Sequence, residues 1–118
     1  MKVLLACDGE ARRYTEATAN AIRTLRSHVE VVLTDIGEME AAVELLDPQL
    51  VIVSGASVPK NPVDDRLVGR VELSLEPDRP SKFRVAERSW ESTNPTLGEI
   101  LSVIGEVERL YGTSREPE

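Results

Sequence analysis

Apolar residues fall in short unbroken runs early in the chain and in spaced or alternating sets later. Lys2 is followed by Val3-Leu4-Leu5-Ala6-Cys7, a run that stops at Asp8-Gly9. Continuous apolar runs of this length, ended by turn residues, predict strands buried on both faces. Over residues 11–27 the spacing becomes helical, with Tyr14, Ala17, Ala21, Ile22 and Leu25 on one side. Residues 29–33 form a second strand that ends at Thr34-Asp35. A shorter helix carries Met39, Ala42, Val43 and Leu46 on one face, and Asp47-Pro48 stops it, because proline disfavours helical backbone in the residue before it. Leu50-Val51-Ile52-Val53 is a third strand, again apolar throughout.

Helices alternating with such strands predict parallel pairing through right-handed crossovers. The expected class is α/β, a three-layer sandwich whose parallel unit has strand order 2-1-3. Beyond residue 53 the pattern changes. Residues 54–62 are rich in turn formers and leave room for one helical turn near residues 64–68. Val71, Leu73 and Leu75 alternate with Arg70, Glu72 and Ser74; after the turn segment Pro77-Asp78-Arg79-Pro80, Phe83 and Val85 alternate with Lys82 and Arg84. Period two predicts a hairpin of a fourth and a fifth strand with one face wet. A C-terminal helix over residues 95–111 presents Leu97, Ile100, Leu101, Ile104, Val107 and Leu110 on one side. Asn94-Pro95, then Thr96 with Glu99, mark its start, and Gly112 its stop. A single domain over residues 1–112 and a flexible tail over 113–118 are expected.

Composition narrows the possible functions. A chain of 118 residues has room for one core, and with aromatic residues at 3% that core is aliphatic. A net charge of −7 repels phosphate backbones and argues against nucleic-acid binding. One cysteine permits no internal disulfide and suits a reducing compartment. The apolar run after Lys2 is too short for a leader or a membrane span, so a cytoplasmic protein with no membrane partner is expected.

In an open parallel sheet the ligand crevice lies beyond the carboxyl ends of the strands. Here it would be bordered by Asp8 and Gly9, Asp35, and Ser54 and Gly55. Asp, Gly and Ser are also the ordinary residues of turns, and no nucleophile, base and orienting group can be assembled at these positions. No catalytic residue, metal ligand or cofactor is therefore assigned, and a small ligand in the crevice stays open. His28, the single histidine, is read as a cap on the first helix, and Cys7 as a packing residue. Arg12, Arg23 and Arg26 share one side of that helix, with Glu16 placed to pair with Arg12; the side is either a solvated face or a stripe that docks an acidic partner. Trp90 lies just after the hairpin, where it covers the sheet edge or joins an interface.

The segment Val3-Leu4-Leu5-Ala6-Cys7-Asp8 resembles the first strand and acidic pair of bacterial response-regulator receiver domains, with Cys7 in place of the first acid and Asp8 matching the second. Asp47-Pro48-Gln49-Leu50-Val51-Ile52-Val53 is similar to the turn and third strand that lead to the phosphoacceptor aspartate, and Ser54 falls on the acceptor position. The likeness covers about the first half of the chain and implies a flavodoxin-like fold. A serine cannot form an aspartyl phosphate, and Asp8 alone supplies too little charge for magnesium. The resemblance thus implies a degenerate receiver that signals through protein contacts and takes no phosphoryl group. The opening through Asp8-Gly9-Glu10 also looks like that of universal stress proteins, which implies the alternative of a small nucleotide- or anion-binding protein. A sheet of five strands with three helices cannot be covered on both faces, so residual apolar area beside the third strand and the hairpin is expected to be buried in a homodimer.

Overall fold

The apolar run that opens the chain is a strand, β1 (Lys2–Cys7), in which every residue after Lys2 is buried. A computed structural model describes residues 1–9, 11–54, 68–74, 79–93 and 95–115. After β1 come α1 (Arg12–Leu25), β2 (Glu30–Asp35), a 3-10 turn (Ile36–Glu38) and α2 (Met39–Leu46). These are followed by β3 (Leu50–Ser54), β4 (Gly69–Leu73), β5 (Ser81–Val85), β6 (Arg88–Ser92) and α3 (Leu97–Arg115). The sheet order is β2-β1-β3-β4-β5-β6. The first four strands in that order run parallel, while β4–β5 and β5–β6 pair antiparallel.

The α/β class is as expected, with β1 between β2 and β3, but the sheet is mixed and has six strands rather than five. β6 was not predicted because Arg88-Ser89-Trp90-Glu91-Ser92 holds a single large apolar residue. Its connection to β5 is the two-residue turn Ala86-Glu87, with Ala86 at a φ of 55° where turns usually place glycine or asparagine. At the other end of the chain α3 runs through Gly112 to Arg115, so residues 113–115 are helical rather than tail. A glycine inside a helix costs only about 1 kcal/mol against alanine, too little to force a stop. The stop at Asp47 is found: its N–H donates to the Val43 carbonyl at 2.9 Å and its φ of 52° is left-handed. Leu75 and the expected turn over residues 64–67 lie outside the described residues.

Side-chain alternation divides the core between two faces of the sheet. Val3, Leu5, Leu50, Ile52, Val71, Phe83 and Val85 pack with Ala19 and Ile22 of α1 and with Ile100, Val103, Ile104 and Val107 of α3. Leu4, Ala6, Val51 and Val53 pack on the other face with Met39 and Val43 of α2. β1 and β3 are thus covered on both sides, which is why their sequences show no alternation. The face opposite α3 on the hairpin carries charge instead, where Glu72 pairs with Lys82 and Arg70 with Arg84 across the strands. It is not simply wet, because Lys82 is exposed but Arg70 is only 6% exposed and bonds Glu72 at 3.0 Å.

α3 approaches the sheet most closely at Gly69, where a Cβ would stand 2.9 Å from Val107 Cγ2 and 3.2 Å from the Arg84 carbonyl oxygen. Trp90 stacks on Phe83 with ring centroids 5.4 Å apart, so it covers the edge of the sheet. Arg88 lies over the Trp90 ring and forms an ion pair with Glu106 of α3. At the opposite edge, Arg23 of α1 donates to the Val31 carbonyl of β2 at 3.1 Å. No helix among the described residues is long and apolar enough to cross a membrane.

Candidate functional site

The parallel register aligns Asp35, Cys7, Ser54 and Leu73 in one row across the carboxyl ends of β2, β1, β3 and β4. Two residues back, Leu33, Leu5, Ile52 and Val71 belong to the α1/α3 face, and the period of two puts the row on that same face. Of the residues predicted to border the crevice, Asp8, Gly9, Asp35 and Ser54 thus meet at one end of the sheet. Gly55 lies outside the described residues.

Their local bonds separate them. The Asp8 N–H donates to the Ser54 carbonyl at 3.4 Å, which ties the ends of β1 and β3 together. Asp8 Oδ1 accepts from the Ala11 N–H at 3.0 Å. The residue at the N-cap of α1, Ala11, has no side chain able to cap, so the carboxylate three positions earlier satisfies one of the orphan donors. Asp8 therefore helps to start α1. Asp35 is exposed and opens the 3-10 turn without a side-chain cap.

Cys7 is 1% exposed, and its thiol points to the Thr34 carbonyl at 3.9 Å. That is the packing role expected of it. Ser54 is also 1% exposed, and its Oγ has no hydrogen-bond partner among the described residues. A buried hydroxyl left unpaired costs about 1–3 kcal/mol, so the end of β3 carries an unsatisfied polar group among the described residues. No group of three or more His, Cys, Asp and Glu able to hold a metal occurs among the described residues. His28 stands beyond the C-terminal end of α1, at the opposite end of the sheet from Ser54, and cannot serve it as a base. Nor does it cap α1, which closes at Leu25 with the Arg26 N–H on the Ile22 carbonyl; His28 pairs instead with Glu108 of α3.

A second feature lies beside the row. Tyr14, Ala17, Thr18 and Ala21 of α1, with Pro95, Leu97 and Ile100 at the start of α3, line an open groove of about 290 Å³. Tyr14 and Leu97 are 43% and 37% exposed. The groove was not legible because Tyr14, Ala17 and Ala21 carry the same helical spacing as Ile22, which is fully buried, and spacing does not tell a seam from a core. The N-terminus of α3 is fixed by Thr96, whose Oγ1 accepts from the Glu99 N–H at 3.2 Å, while the Glu99 carboxylate accepts from the Ser92 hydroxyl at 3.1 Å. The predicted start signal is therefore half used as a capping box and half used to tie α3 to β6.

No family model, curated protein or solved structure matches the chain.

Proposed function

We propose that this chain is a non-catalytic, receiver-like domain that works through protein contacts. The observation that carries the reading is Ser54. At the position where the resemblance puts a phosphoacceptor aspartate stands a hydroxyl that is 1% exposed, next to a buried Cys7 where receivers place an acid. Phosphoryl transfer requires an accessible carboxylate nucleophile and clustered acids for magnesium. The acceptor position holds no carboxylate, no group of three or more acids able to hold a metal forms among the described residues, and Asp8 already serves α1. A three-layer, flavodoxin-type arrangement belongs to this reading, and the lone cysteine, Cys7, suits work in the cytoplasm. Incubation with acetyl phosphate and magnesium, followed by intact mass, is expected to show the unmodified chain. A stoichiometric phosphoadduct overturns the reading.

One observation favours a second reading, that of a small-anion or nucleotide binder. Among the described residues the Ser54 hydroxyl has an unused donor, near the N-terminal end of α1, where backbone N–H groups suit negative charge. A thermal-shift series with ATP, AMP and cyclic nucleotides separates the two. A ligand at about 100 times its Kd adds roughly 2.7 kcal/mol of stability, whereas the protein-contact reading expects no shift.

A further inference from the structure

We propose that a second copy of this chain docks on the α1/α3 groove through α2. The two surfaces lie on opposite faces of the sheet, since α1 and α3 pack with the core that holds Val3 and Leu5, and α2 with the core that holds Leu4 and Ala6. The acceptor is apolar along its length: Ala17 and Ala21 line it, Tyr14 and Leu97 stand half-exposed at one end, and Leu25 at 51% exposure extends the stripe toward the other. Arg13, exposed one helical turn before Ala17, places a cation beside the groove. Arg12 and Arg13 occupy the first turn of α1, which contains no acidic residue, although the helix dipole disfavours cations there. Arg12 has Glu16 at 3.3 Å, while Arg13 has no ion-pair partner among the described residues.

The donor is its complement. The stretch through the 3-10 turn and α2 carries Glu38, Glu40 and Glu44, all exposed, and no basic residue. Among them stands Leu45, at 84% the most exposed large apolar side chain of the described residues. An acidic helix with one outstanding leucine fits an apolar groove with an arginine beside it, and its carboxylates would answer the Arg13 charge, which has no ion-pair partner among the described residues. Because donor and acceptor are different surfaces on opposite faces, the contact is heterologous, and copies add head to tail. An eight-residue helix buries less than the roughly 800 Å² per partner of a stable complex, so the association is weak and depends on concentration.

This contact rests on the protein-contact reading but fails separately from it, because a chain that stays monomeric and takes no phosphoryl group overturns the contact alone. Sedimentation velocity on the full chain from about 10 µM to about 1 mM spans the affinities open to so small a contact. The mass is expected to rise past that of a dimer. Leu45→Asp and Ala17→Glu alter residues exposed in the monomer, and circular dichroism checks that each variant is folded. Each alone remains monomeric, and an equimolar mixture forms a one-to-one dimer that grows no further, since each variant retains one intact surface. Arg13→Glu, which leaves the groove's shape intact, weakens the association at least tenfold. A wild-type chain that is monomeric throughout overturns the proposal, as does a closed dimer untouched by these substitutions or a mixture that stays monomeric.

Discussion

The two halves of the sheet solve the burial problem differently. β1 and β3 are apolar at nearly every position and are covered by helices on both faces, with Leu5 and Ile52 under α1 and α3 and Leu4 and Val51 under α2. β5 alternates, with Phe83 and Val85 buried and Lys82 exposed, and β6 is exposed or half-exposed along its whole length. The first half holds its position by two-sided packing. The second depends on one helix laid across a single apolar face, and on the strap formed by Trp90, Arg88 and Glu106. A loss in the first half should therefore reach the whole domain, and a loss in the second should stay closer to the edge.

The sharpest test is Ile52→Ala, which empties a fully buried site in the doubly covered half and should cost about 2–5 kcal/mol in urea unfolding. A cost below about 1 kcal/mol would mean that the central strands are not the core. At the junction of the halves, Gly69→Ala sets a Cβ against Val107 and the Arg84 carbonyl and should cost about 1–3 kcal/mol. A neutral result would show that α3 sits farther from β4. Trp90→Ala removes the stack on Phe83 from a half-buried edge position and should cost about 1–2 kcal/mol in the same measurement. Smallest of all, Lys82→Ala on the open face should stay within about 0.5 kcal/mol. A larger loss there would erase the contrast between the halves.

The same contrast explains what could be read from the sequence. Two-sided burial writes itself as unbroken runs, so β1 was legible to the residue, and β3 to within one residue at its end. One-sided burial writes alternation, which located β4 and β5, but a five-residue edge strand with one aromatic side chain leaves too little signal, and β6 was missed. Chain-end signals are weaker again, since Gly112 resembled a stop whose energy is too small to end a helix already packed through Ile104 and Val107. For the site, the meeting of Asp8, Asp35 and Ser54 followed from parallel pairing alone. That Asp8 caps α1, that the Ser54 hydroxyl is buried without a partner among the described residues, and that α1 and α3 leave a groove between them all depend on distances that spacing does not encode.

The bond from Arg23 to Val31 bears on how the molecule behaves in a crowd. β2 is the outer strand of the sheet, and its Glu30 N–H donates inward to the Met1 carbonyl at 3.0 Å. Backbone groups alternate sides along a strand, so the Val31 carbonyl points outward, where an incoming strand would need it as an acceptor. The Arg23 guanidinium already holds that oxygen. A foreign strand must displace a cation before it can zip onto this edge, so Arg23→Ala would leave the fold nearly as stable while making the protein stickier and quicker to precipitate on heating.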